Sequence, residues 1–170
     1  MEVDSKILCD IAISAGNIIL EIYKEKEFGI KTKVDDSPVT KADLAANDYI
    51  CEELQKHYPQ IPILSEEGEH GLFEERKSWE LCFIVDPLDG TKEFIKKNGE
   101  FTVNIALAKN GMPLMGVIYA PVLNILYFNE KGTAYRQRGE LKEQLPLDKL
   151  SKRPFRIVTS RSYISLEVQN

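Results

Sequence analysis

Along the first two dozen residues, apolar side chains return at helical spacing: Ile7, Leu8, Ile11, Ala15, Ile18, Ile19 and Ile22. Steps of three and four keep such positions on one face, so residues 4–26 are expected to form one long amphipathic helix with Asp4 as its N-cap. The pattern breaks in "FGIKTKVDDSPVTKADLAAN", where Asp36, Ser37 and Pro38 are turn formers. Thr40 with Asp43 three residues later resembles a capping box, with Asp in place of the usual Glu. A second helix is expected from Lys41 to about His57, ending before Pro59.

Shorter, continuous apolar runs follow. Ile61–Leu64 reads as a buried strand that opens into the acidic loop "SEEGEHG", and "WELCFIVD" reads as a second buried strand. A turn at "DPLDG" leads into a short helix over "TKEFIKKNG", stopped by Asn98 and Gly99. From Glu100 to Gln137 apolar and polar residues alternate, punctuated by Asn110-Gly111, Pro121 and Lys131-Gly132. That predicts a meander of antiparallel strands joined by tight turns. A polar stretch over 139–153 precedes one more predicted strand, "FRIVTS". Two helices followed by strands in succession predict an α+β fold: a largely antiparallel sheet with two long helices packed on one face.

Composition narrows the function. The 170 residues suit one compact domain, and their net charge of −5 argues against a protein that wraps polymeric nucleic acid, which would show a basic face. Cys9, Cys51 and Cys82 are odd in number, far apart and set in apolar surroundings, so buried reduced thiols and a reducing cytoplasm are expected. No stretch approaches the ~18 apolar residues of a membrane span, so no transmembrane segment is expected. His57 and His70 lack metal-ligand spacing and read as surface residues. Lys96-Lys97 reads as a solvated helix end.

The candidate chemistry lies where buried strands run into acids. Asp86 ends an apolar strand, Pro87 stiffens the next step, Asp89 follows three residues later, and Gly90 permits a close backbone approach or a positive φ. Two carboxylates ~4 Å apart repel by ~4 kcal/mol at an effective dielectric of 20, so such a pair calls for a shared proton or a cation. Oxygen-only donors suit Mg²⁺, which commonly bridges carboxylates to phosphate. The amides of Gly90 and Thr91, at the start of a helix, are placed to meet phosphate oxygens. Glu66 and Glu67 follow the other buried strand in the same manner. Each feature also has an ordinary reading: Asp-Pro-x-Asp-Gly is turn chemistry, the glutamates are loop acids, and Asp43 is a helix cap.

"DPLDGTKEFIKKNGEFTVNIAL", with "DDSPVTKADLAAN" and "PILSEE" upstream in matching order, resembles the 3′(2′),5′-bisphosphate nucleotidases of the CysQ type. These belong to the lithium-sensitive, magnesium-dependent phosphatase superfamily that includes inositol monophosphatase. The resemblance implies the N-terminal half of the sugar-phosphatase αβαβα fold and removal of the 3′-phosphate from adenosine 3′,5′-bisphosphate to give AMP. It implies that Glu66, Asp86 and the Leu88 carbonyl hold one Mg²⁺ and that Asp86 and Asp89 help hold a second. It also implies that Thr91, oriented by Asp43, activates water together with Glu66. Leu88, Asp89, Gly90 and Thr91 would line the phosphate site. An inositol- or sugar-phosphate phosphatase, or a non-catalytic metal- or nucleotide-binding protein, is the alternative.

Relatives of that type carry a second domain with a Trp-Asp motif. Nothing after Ser162 resembles it, and Trp79 is the only tryptophan. The expectation is therefore a metal-binding phosphatase domain over 1–160, with 161–170 beginning a connection to a further domain. Weakened metal binding, impaired turnover and self-association through the face such a domain would cover are expected with it.

Overall fold

A computed structural model describes residues 3–25, 27–33, 37–68 and 71–146. Asp36, His70 and the strand predicted at "FRIVTS" lie outside the described residues, as does the boundary expected near 160.

The first helix, α1, spans Ser5–Tyr23 and begins where Asp4 accepts a hydrogen bond from the Lys6 N–H. It stops three residues short of the expected end, with Lys24 as its C-cap. Leu8, Ile11, Ala15 and Ile19 form its buried stripe. Lys31–Thr32 (β1) and Pro38–Val39 (β2) then pair as a two-stranded antiparallel ribbon, so Pro38 is an extended residue rather than part of a turn. Proline is tolerated there because so short a ribbon asks little of its missing N–H. The second helix, α2, spans Lys41–His57 as expected, opened by the Thr40–Asp43 capping box.

The main sheet has seven strands in sequence order: β3 (Ile63–Ser65), β4 (Leu81–Asp89), β5 (Thr102–Lys109), β6 (Met112–Ala120), β7 (Ile125–Glu130), β8 (Thr133–Arg138) and β9 (Leu141–Gln144). The β3–β4 pair is parallel and every other pair antiparallel. β9 lies in the polar stretch over 139–153: its side chains are mostly exposed on an edge strand, so no apolar alternation marks it. Between β3 and β4 a four-residue helix, α3 (Phe73–Arg76), buries no side chain, which is why periodicity missed it. A short helix, α4 (Thr91–Ile95), follows β4. The Asn110-Gly111 and Lys131-Gly132 turns both place two consecutive residues at positive φ, as two-residue hairpins require.

Both long helices pack on one face, α1 across β5, β6 and β7 and α2 across β3 and β4. Phe83, Val85, Val103, Ile105 and Val117 meet Leu8, Ile19, Ile50 and Leu54 in a core with essentially no solvent exposure. The register sends one row of residues to the opposite face: Asp86, Asn104, Ile118, Tyr127, Arg136 and Glu143 stand side by side on adjacent strands. Among them Ile118 and Tyr127 are exposed, as is Ile84, two residues before Asp86 on the same face. Among the described residues no helix is long and apolar enough to cross a membrane.

Candidate metal and phosphate site

β4 does not turn at Asp86-Pro87-Leu88-Asp89 but bulges. Asp86 pairs with Asn104 and Asp89 with Thr102, so three steps on β4 match two on β5. Pro87 and Leu88 thus face the single Val103, and Pro87 costs the ladder nothing where pairing is already interrupted. The bulge ends at Gly90, whose φ of 98° caps α4. A Cβ on Gly90 would lie 2.8 Å from the Glu100 carbonyl oxygen, so this position needs both the backbone freedom and the missing side chain of glycine. Phe94 on α4 packs its ring 4.9 to 5.3 Å from those of Phe28, Tyr23 and Phe101, which fixes the helix against the core.

The Asp86 carboxylate is half-buried, and its Oδ1 has no hydrogen-bond partner. Burial, then the charges of Glu66 and Asp89 and a side-chain hydrogen bond shared with Glu66, push its pKa up to about 7, while the Leu88 N–H donates to the carboxylate and offsets this only in part. Among the described residues no three His, Cys, Asp or Glu side chains are already gathered as a metal cluster. Glu66 and Glu67 are instead held by Lys33, whose Nζ donates to Glu66 Oε1 at 3.0 Å and to Glu67 Oε1 at 2.6 Å. Burial opposes the Lys33 charge, but its bonds to Glu67 and Glu66 outweigh this and raise its pKa. Burial raises the pKa of Glu67, with the Lys33 bond acting against it. Asp89 lies on the exposed side, where its Oδ2 accepts from Asn104 Nδ2 at 3.2 Å.

Asp43 is almost fully buried at the start of α2, and both its oxygens are engaged. Oδ2 accepts the Thr40 N–H at 2.8 Å and the Thr40 hydroxyl at 2.5 Å; Oδ1 accepts the Thr91 hydroxyl at 2.9 Å. The Leu88 carbonyl lies 3.3 Å from the Thr91 hydroxyl as a second, longer acceptor. The carboxylate that caps α2 is also the acceptor of the Thr91 hydroxyl. The structure thus brings Asp43, Leu88, Gly90 and Thr91 together. It sets Glu66 and Asp89 within electrostatic reach of Asp86, with Glu66 hydrogen-bonded both to Lys33 and to the Asp86 side chain.

Three further residues were not anticipated. Lys33 is brought in by the β1–β2 ribbon, and nothing in "IKTKVDD" separates it from its neighbouring lysine except strand alternation. Asn104 follows from cross-strand pairing with Asp86. Asn47, one turn beyond Asp43, accepts the Ser65 hydroxyl at 2.6 Å. The thiols are free; Cys9 is buried, with its pKa pushed up to about 12 first by that burial, whereas Cys51 and Cys82 are only half-buried, a correction to the expectation for all three. Lys97 is likewise more than a solvated residue: its ammonium donates to the Tyr23 and Glu25 carbonyls at the end of α1.

Comparison with known proteins follows the same lines. The model of the inositol monophosphatase family matches residues 1–167. A protein of Escherichia coli K12 named 3′(2′),5′-bisphosphate nucleotidase CysQ is 44% identical over 163 residues, 95% of this chain and 65% of the relative. A Haemophilus influenzae protein of the same name is 37% identical over 86% of this chain and 55% of its own length. The crystal structure of CysQ from Bacteroides thetaiotaomicron superposes with a TM-score of 0.78 at 40% identity, covering 97% of this chain and 65% of that one. The extragenic suppressor protein suhB of Bartonella henselae gives a TM-score of 0.70 at 34% identity over 78% and 51% of the two chains. The chain therefore spans about two thirds or less of the length of these relatives. From the bulged acidic strand, the capped helix that reaches Thr91 and these matches together, the chain belongs to the inositol monophosphatase family.

Proposed function

We propose that the chain carries the metal- and water-handling part of a phosphomonoesterase that removes the 3′-phosphate of adenosine 3′,5′-bisphosphate, giving AMP and phosphate. The observation that carries this reading is that buried Asp43 binds the hydroxyl of Thr91, on the helix that follows the strand whose Asp86 keeps a partnerless Oδ1. The donor set suits Mg²⁺, in one site and a second adjoining it: the carboxylates of Glu66, Asp86 and Asp89 and the Leu88 carbonyl are all oxygen. Bound there, the ion would neutralise the facing acids and polarise the phosphate oxygens.

The chain's own groups do the rest. Asp43 takes the hydrogen of the Thr91 hydroxyl, so the lone pairs of that oxygen are free to accept from an attacking water. Glu66 accepts the other proton of that water as its oxygen bonds to phosphorus and the bond to the 3′ oxygen breaks; the leaving oxygen is protonated from solvent. First-turn amides have no intrahelical acceptor, so the N–H groups of Gly90 and Thr91 are available to phosphate oxygens. A cytoplasmic location belongs to the same reading, since the three thiols are free.

Inorganic phosphate release with Mg²⁺ from adenosine 3′,5′-bisphosphate and from inositol 1-phosphate tests the reading. The bisphosphate is expected to be the better substrate, with inhibition by Li⁺. Thr91→Val should lower kcat by about 10²-fold. A clear preference for inositol phosphate would assign the site to the other branch of the family.

A further inference from the structure

α2 meets both acidic loops, and with different residues. Asp43 reaches Thr91, just past β4. Asn47 lies one turn on, a rise of about 6 Å along the helix, and its Oδ1 accepts the Ser65 hydroxyl at 2.6 Å. Ser65 ends β3, is 4% exposed, and immediately precedes Glu66. The backbone around Glu66 is held on two further sides: its N–H donates to the Val85 carbonyl at 2.9 Å, and Gly68 N–H closes a tight turn on the Ser65 carbonyl at 3.1 Å. The side-chain tie from Asn47 joins this turn to the helix already holding Thr91, and the Cys51 side chain on the same helix is a second, weaker hydrogen-bond neighbour of Ser65.

The amide is suited to this task. Asn47 Nδ2 donates to Asp48 Oδ1 at 3.2 Å, which turns Oδ1 inward toward Ser65. Oδ1 also lies 3.6 Å from the Cys51 thiol, a weaker second donor. A carboxylate here would accept equally well, but it would add a charge beside Asp43, Glu66, Glu67 and Asp86. A neutral acceptor supplies the bond without that repulsion.

We propose that Asn47 is a positioning residue that sets Glu66 by holding the Ser65 hydroxyl. The inference rests on the reading of Glu66 as a metal ligand. Residues that orient ligands typically contribute tenfold or more to metal affinity.

Calorimetric titration with Mn²⁺, a substitute for Mg²⁺, tests it on the wild type, Asn47→Ala, Ser65→Ala and the double variant, each checked for folding by circular dichroism and urea unfolding. Asn129→Ala serves as control: that amide bridges Gly116 N and the Leu114 carbonyl elsewhere in the sheet, so its loss is structural only. Each site variant should bind Mn²⁺ roughly tenfold more weakly than wild type, the double variant no more weakly than the weaker single one, and Asn129→Ala like wild type. Wild-type affinity in folded Asn47→Ala, or an equal loss in Asn129→Ala, overturns the proposal. Should Asn47→Ala not fold, Ser65→Ala, which removes one oxygen, carries the same comparison. A wild type that binds no Mn²⁺ at millimolar concentration would instead overturn the metal reading beneath it.

Discussion

At Gly90 the backbone takes a φ of 98°, and the nearest atom to an added Cβ is a main-chain oxygen that cannot swing aside. Gly90→Ala is therefore expected to cost about 2–3 kcal/mol, combining strain at positive φ with a steric clash. Gly111→Ala is the contrast: φ there is 75° but nothing lies within 4 Å, so only strain of about 1 kcal/mol remains. Urea midpoints of the two variants decide whether the close approach matters; equal losses would mean it does not. Much of the site was legible at this scale. A glycine after two acids, and a Thr and Asp spaced for a capping box, each name a local geometry that the backbone adopts. What sequence could not supply was the environment of each acid. Asp86 and Asp89 look alike in "DPLD", yet one is half-buried with a partnerless oxygen and the other exposed and bound to Asn104. That difference arises from the bulge, which depends on how β5 pairs.

Among the elements, α1 shows how a distant segment completes a helix. Its last turn carries no basic residue of its own. Lys97, beyond α4, supplies the cation, donating to two carbonyls there while its ammonium sits 4.8 Å from the Phe28 ring centroid and 4.9 Å from that of Tyr23. Lys97→Met keeps the stem and removes the charge, so a loss of about 1 kcal/mol is expected from the helix dipole and the ring contacts. An unchanged urea midpoint would show the contact to be idle. The long helices and the alternating strands could be read because one face of each is buried, and burial writes a period into the sequence. β1, β2, α3 and β9 bury little or are too short to hold a period. They escaped for that reason, and Lys33, which rides beside the β1–β2 ribbon, escaped with them.

For the whole molecule, the sheet acts as a divider. The two long helices and the core lie on one side; Asp86 lies on the other, in a row that continues through Asn104 and the exposed Ile118 and Tyr127. The fold accepts an unfavourable arrangement there. A half-buried carboxylate faces two other acids and keeps one oxygen unbonded, which is destabilising once the carboxylate is ionised and is relieved by a shared proton or by a cation. Asp86→Asn should relieve the repulsion and remove the site together. The decisive measurement is thermal unfolding at pH 8 of the wild type and Asp86→Asn, each with and without Mg²⁺. Without metal, Asp86→Asn is expected to melt about 3 °C or more above the wild type. At ten times the dissociation constant, Mg²⁺ should add ~1.4 kcal/mol to the wild type, a rise of roughly 3–6 °C, and should leave the variant unmoved. A variant that melts below the wild type without metal, or that gains as much from Mg²⁺, would contradict the account.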